Sequence, residues 1–161
     1  KGGRMRFLTF EINREEFCAP LEQVREVIGF PHFTPIPNSP KYLLGLMNLR
    51  DQVLPVIDLR MRLNLKPTLT SETAVIVCNF EQGAFGVVVD NIHNVLSPED
   101  SNIMPVNPPS DQSNPQIDLI THVIRRQDKL TLVLDMKKVF SSGDKEFLHF
   151  DKVSVDLKKT G

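Results

Sequence analysis

Four histidines, two cysteines and a set of carboxylates are the residues of this chain suited to acid–base, nucleophilic or metal chemistry. His32, His93, His122 and His149 stand singly, and none has a second ligand at metal-binding spacing. Cys18 or Cys78 paired with a histidine would make a thiol nucleophile. Cys78, however, lies among Val75, Val77 and Phe80, where burial raises the thiol pKa and makes it inert. Both cysteines read as buried small hydrophobes rather than as a disulfide, which suits a reducing compartment. The eight glycines are isolated apart from Gly2-Gly3, so no phosphate-cradling loop is present. Asp58, Asp90 and Asp135 end strand-like runs, and helix caps and turns account for them better than acid–base work does. The expectation is therefore no enzyme, no cofactor and no metal. Surface recognition remains. A strand-end arginine such as Arg50 is usually just solvated, yet interfaces enrich arginine because its planar fork makes directional hydrogen bonds.

The bulk properties narrow the partners. At 161 residues the chain fits one domain or two very small, intimate halves. A chain of this length buries roughly 70% of its unfolded surface and needs neither disulfide nor metal to hold a core. A net charge of −1 argues against a nucleic-acid binder. With no Trp and a single Tyr there is also no aromatic platform on which bases could stack. No apolar run reaches the roughly 18 residues of a membrane span, and no signal peptide is visible. The bulk reading is a soluble, cytoplasmic, β-rich domain without direct membrane insertion.

The elements that must position these residues follow from local pattern. Residues 7–12 and 17–21 read as a hairpin joined by the polar turn 13–16. Val24, Val27 and Ile28 fall on one helical face, while Val24 and Ile28 equally share one side of a strand, and periodicity alone does not choose. In the segment 34–63, Pro35, Pro37 and Pro40 force an extended entry. Ser39 before Pro40 reads as an N-cap, so residues 41–44 are expected to form one helical turn, stopped by Gly45. Residues 46–50 and 53–57 read as strands around a tight turn at Asp51-Gln52, after which Asp58 caps a short helix over 59–63. A polar linker, 66–72, leads to a buried strand over 73–80. The turn 81–83 then leads into a strand over 84–92 whose Val87-Val88-Val89 run implies cover on both faces. Gly86 within it implies a bulge or a close backbone approach. Ser97-Pro98 opens a short helical turn toward Ile103. Residues 105–116, with four prolines, read as an exposed loop. Residues 117–126 and 130–134 form the last hairpin, and Asp135 caps residues 136–140. This last unit echoes the earlier one: arginine, turn, strand, aspartate, short helix occurs once with Arg50 and Asp58 and again with Arg126 and Asp135. Residues 141–161 read as a marginally ordered tail.

One family pattern matches these residues in order. Ile36-Pro37-Asn38-Ser39-Pro40, then Gly45, Asn48-Leu49-Arg50 and Pro55-Val56-Ile57-Asp58-Leu59-Arg60 resemble the CheW-like coupling domain of bacterial chemotaxis. The resemblance extends from about Phe7 to Phe140, and Val24-Arg25-Glu26-Val27-Ile28 joins it, favouring a short turn that runs into a strand. One departure is Asp51, where the family usually has glycine. Aspartate tolerates a turn with positive φ, so the fold is expected to survive.

The resemblance implies an all-β fold with short helices: two Src homology 3-like five-stranded β-barrels packed together over residues 5–140, with 141–161 as a C-terminal tail. It implies a non-enzymatic adaptor that couples methyl-accepting chemotaxis receptors to the histidine kinase CheA, in arrays on the inner face of the membrane. A receptor-binding groove would hold Val24, Glu26, Asn48, Arg50 and Val95 and accept the tip of a receptor helical hairpin. Phe33, Thr34 and Ile36 match the region that meets the regulatory domain of the kinase. Two other readings stand beside it. One is a CheW-like regulatory domain cut from a larger kinase or a coupling–receiver protein. The other is an unrelated small-barrel binding module that makes contact through the proline-rich loop.

Overall fold

The chain threads through two sheets, beginning in one, crossing to the other and returning. The structure, a computed structural model, describes residues 4–81, 83–106 and 119–139. β1 (Phe7–Ile12) and β2 (Glu15–Pro20) form a hairpin, and a 3-10 turn over Leu21–Gln23 carries the chain across into β3 (Val24–Gly29). β4 (Leu43–Leu49), β5 (Gln52–Asp58), the four-residue helix α1 (Leu59–Arg62), β6 (Ala74–Phe80) and β7 (Gly83–Val89) complete the second sheet. The chain then returns through β8 (Asn91–Leu96), β9 (Ile103–Pro105), β10 (Ile120–Arg126) and β11 (Lys129–Leu134).

The strand orders are β8-β1-β2-β11-β10-β9 and β3-β6-β7-β5-β4. Apart from the three-residue edge β9, the two share one plan. A hairpin (β10-β11 or β4-β5) lies parallel, by its second strand, to the second strand of another hairpin (β1-β2 or β6-β7), and an outer strand (β8 or β3) closes the far edge. The outer strands also share an irregularity. β3 takes two steps, Val24 to Glu26, against one in β6, and β8 takes three, Ile92 to Val95, against two in β1. The echo expected from Arg50-Asp58 and Arg126-Asp135 is thus a repeat of the whole half-domain.

Three apolar clusters explain the two-sided burial. Met47, Leu54, Val56, Val75, Val77 and Val88 fill the interior of one half. Phe7, Cys18, Ile124 and Val133 fill the interior of the other. Between the halves, Phe10, Ile12 and Phe17 meet Ile57, Ile76, Phe85 and Val87 in a shared seam. Alternate residues of β6 and β7 therefore face two different cores, and the Val87-Val88-Val89 run has no wet side. Gly86 sits where a Cβ would lie 2.7 Å from a Val75 side-chain methyl, which is the close approach expected of it.

Local details differ from expectation in three places. Residues 41–44 are not a helical turn: Leu43 N–H donates to the Pro40 carbonyl at 3.0 Å, a single β-turn, and β4 starts at once. Gly45 lies inside β4, opposite an irregularity, and not at a helix end. The strand expected over 84–92 breaks at Asp90, and its two parts belong to different sheets. The β4-β5 turn is Arg50-Asp51, one residue earlier than expected, with φ of 48° and 67°. Both residues are left-handed, as in a type I′ hairpin turn, whose twist matches the strands. Asp51 accepts the positive φ that the family glycine would supply freely. The start of the last hairpin at 117, most of the proline-rich loop, Phe140 and the tail lie outside the described residues.

Gly45 makes a sharp prediction. Its φ is +153° and a Cβ there would fall 2.1 Å from the Thr34 carbonyl oxygen. Gly45→Ala is expected to destabilise by about 2 kcal/mol or more in urea unfolding. Gly29→Ala, with nothing within 4 Å of its Cβ, is expected to cost well under that.

Candidate functional site

The expected site residues fall on both halves. β3 and β4 are opposite edges of the second sheet in strand order, yet Arg50, in the turn after β4, donates through Nη2 to Glu26 Oε2 on β3. The sheet must therefore curl until its edges face each other, as a small barrel does. The hairpin turn aims Arg50 outward: its side chain is 63% exposed while that of Glu26 is 24% exposed, so the carboxylate is anchored and the guanidinium retains free donors. Two residues that pattern reading missed complete the cluster. Arg25 Nε stands 3.5 Å from Glu26, and Arg25 Nη1 donates to Gln52 Oε1 at 2.8 Å. The available signal was their position, Arg25 beside Glu26 and Gln52 closing the Arg50-Asp51 turn.

Asn48 is exposed on β4 near the turn. Val24 starts β3 half-buried and packs on the seam between the halves. Val95 stands on β8 of the other sheet, 48% exposed, and pairs with Leu8 in the ladder. Glu26 and Arg50 touch, Asn48 and Val24 share their strands, and Val95 belongs to the other half.

The second expected group lies along β4, the edge strand of the second sheet. Thr34 N–H donates to the Leu46 carbonyl and Leu46 N–H returns the bond, each at 2.8 Å, so Thr34 is a one-residue addition to the sheet. Phe33 packs on the interior cluster of that half and meets Phe30 edge-to-face at 5.8 Å. Ile36 packs against the seam. Phe33 and Ile36 are thus half structural, while Phe30, 36% exposed, extends an apolar strip beside them.

The reactive groups are quiet. Cys18 and Cys78 are free and buried. Burial, aided by the Glu16 charge, pushes the Cys18 thiol up to about 12, and burial alone pushes the Cys78 thiol higher still. Asp58 and Asp135 are caps: their carboxylates accept from the Arg60 and Lys137 backbone N–H groups at 3.0 Å. Among the described residues no set of three His, Cys, Asp or Glu side chains converges as a metal site, and no helix is long and apolar enough to cross a membrane. A polar cluster closes one end of the other half. Glu16 accepts from Thr131 and Arg126 and faces Lys129, and His93 lies between Glu16 at 3.1 Å and Glu11 at 3.2 Å.

Comparison with known proteins places this geometry in a lineage. The family model described as CheW-like domain matches residues 6–144. A probable chemotaxis protein CheW of Rhizobium etli is 31% identical over 145 residues, covering 89% of this chain and 92% of the relative. The chemotaxis protein CheW of Klebsiella aerogenes is 32% identical over 139 residues, covering 86% and 82%. The crystal structure of the scaffolding protein TtCheW from Thermoanaerobacter tengcongensis superposes with a TM-score of 0.79 at 25% identity, covering 90% of this chain and 98% of that one. The match removes the reading of an unrelated small-barrel module.

Two predictions follow from the titrating groups. Both thiols are expected to resist a thiol reagent at pH 8 in the folded protein and to react fully in denaturant; fast labelling of the native chain would contradict their burial. For Glu16, burial raises the carboxyl pKa, but hydrogen bonds from His93 and Thr131 and the charges of Arg126 and Lys129 outweigh it and hold it below 4.5. A depressed pKa stabilises the fold above that value, and the contribution fades as pH falls below it. Glu16→Gln is therefore expected to be less stable than the native chain at neutral pH and to lose less stability on acidification, as read by urea midpoints from pH 7 to pH 3.

Proposed function

The chain belongs to the CheW-like family, and we propose that it is a non-enzymatic adaptor coupling methyl-accepting chemotaxis receptors to the histidine kinase CheA in the cytoplasm. Its work is to hold two other proteins in register. The observation that carries the site assignment is the Glu26–Arg50 pair, made across the closing edges of a curled sheet. An exposed ion pair of this kind contributes at most about 1 kcal/mol to folding. Its value lies in the rigid presentation of an arginine fork whose remaining donors are open to a partner.

The receptor tip is assigned to Val24, Glu26, Asn48, Arg50 and Val95. An apolar helical hairpin would bury Val95 and take hydrogen bonds from Asn48 and Arg50. The kinase regulatory domain is assigned to the strip at Phe33, Thr34 and Ile36, where Thr34 makes the one bridge along the β4 edge among the described residues. Two modest contacts on separate surfaces suit an array, because effective concentration multiplies weak affinities when both are engaged.

Arg50→Ala is expected to reduce binding to a receptor cytoplasmic fragment about fivefold or more while leaving kinase-fragment binding and the thermal midpoint close to those of the native chain. Titration with each fragment separately makes the measurement. Unchanged receptor affinity in this variant would remove Arg50 from the receptor surface.

A further inference from the structure

Among the described residues the chain passes between its two halves twice, and both connectors are gripped in a related way. Where β2 leaves the first sheet for β3, Gln23 is held by the Asp135 turn of that same sheet. Its Nε2 donates to Asp135 Oδ1 at 2.9 Å, and its Oε1 accepts the Met136 N–H at 2.9 Å. Where β7 leaves the second sheet for β8, the connector is the single residue Asp90. It is held by Arg60, next to the Asp58 turn of that sheet. Arg60 Nη1 donates to Asp90 Oδ1 at 2.8 Å, and its Nε and Nη2 donate to the two Asp58 oxygens at 2.9 and 3.0 Å. Nη1 also donates to the Thr68 carbonyl.

The two grips are an internal control for each other. The Asp135 turn is capped and its connector held by Gln23 with no cation between them. The buried Arg62 donates instead to the Val139 carbonyl at 2.7 Å, and Lys137, which corresponds to Arg60, is exposed. Capping alone therefore does not require Arg60. A 4% exposed guanidinium is expensive to desolvate, so a charge here needs a further role. Burial by itself would lower its pKa; hydrogen bonds and charge from Asp58 and Asp90 more than offset that and raise it above the ordinary arginine value. Asp90 in turn accepts the Asn13 N–H through its other oxygen at 2.6 Å, and its own N–H donates to the Glu11 carbonyl at 2.9 Å. The charge chain thus runs from the cap of the second sheet, through Arg60 and Asp90, to the β1-β2 turn of the first.

We infer that Arg60 is a positioning residue that fixes, through Asp90, the direction in which β8 leaves the second half, and with it the place of Val95 relative to Glu26 and Arg50. This rests on the receptor assignment proposed above. β8 is laddered to β1 and tied to it by the Thr9–Asn94 hydrogen bonds, and its N-terminal end is tied to the second half at Asp90. The place of Val95 relative to Glu26 and Arg50 therefore depends on that junction. Phe33 and Thr34 attach to the second half itself and Ile36 packs on the seam, so none of the three is carried by β8.

The test uses Asp90→Asn, which keeps the shape and removes the charge. Amide exchange is expected to quicken about tenfold at residues 91–96 and 13–14 and to stay unchanged in β4 and β5. Affinity for the receptor fragment is expected to fall about fivefold or more, with kinase-fragment affinity within about twofold of the native chain. Arg60→Lys, which keeps the charge but cannot reach both carboxylates with one planar fork, is expected to give the same pattern; it also carries the test if Asp90→Asn fails to fold. Exchange that rises evenly across both sheets, no change in exchange, or equal loss of both affinities would overturn the inference. If the unsubstituted chain binds neither fragment, the adaptor reading fails, while the exchange pattern still decides whether Arg60 controls β8.

Discussion

The apolar seam between the halves is the constraint on which the rest depends. Each half, with five main strands, is too small to bury both faces of its own sheet, and the interior clusters are short of large side chains. Phe10, Ile12, Ile57, Ile76 and Phe85 lie instead on the shared side, where each half serves as the other's cover. At about 25 cal/mol per Å² of apolar surface, several such side chains outweigh any surface ion pair in the molecule. The halves therefore fold as one body, and polar groups at the periphery are left to aim things.

That division explains what was legible in the sequence. Apolar alternation and β-branched runs follow from two-sided burial, so the strands at 7–12, 73–80 and 130–134 could be read within a residue or so. The aspartate caps could be read too, because a carboxylate two residues ahead of a free N–H is a local device. Contacts set by tertiary placement could not. Pro40 at a helix-like start is overridden because Leu43 is recruited at once into β4, opposite Ile57. The continuous apolar stretch around Asp90 looks like one strand because nothing local says that its two parts serve different sheets. Arg50 and Glu26 are far apart in strand order, and only the curl of the sheet joins them; family resemblance, not periodicity, pointed to that pair.

The quiet chemistry has the same origin. Thiols inside sandwiched strands stay protonated, and carboxylates at strand ends are spent on backbone N–H groups. What the surface offers is shape and directed donors: a fork at Arg50, an apolar point at Val95, and a β4 edge with one bridge along it among the described residues. Such features suit recognition by extended or helical segments of other chains.

The repeat within the chain sharpens this view, since it shows what each half needs and what only one half has. Both halves need the crossing hairpins, the capped turn and a polar grip on the departing strand. Only one is gripped by a cation. A neutral amide such as Gln23 satisfies its neighbours at short range and tolerates small shifts of the backbone. A guanidinium shared by two carboxylates falls off more slowly with distance but demands a planar geometry, so it penalises misalignment in direction more than in separation. The stiffer grip stands where the outer strand that carries the exposed Val95 begins, and the softer one stands where β3 begins with its bulge at Val24–Glu26.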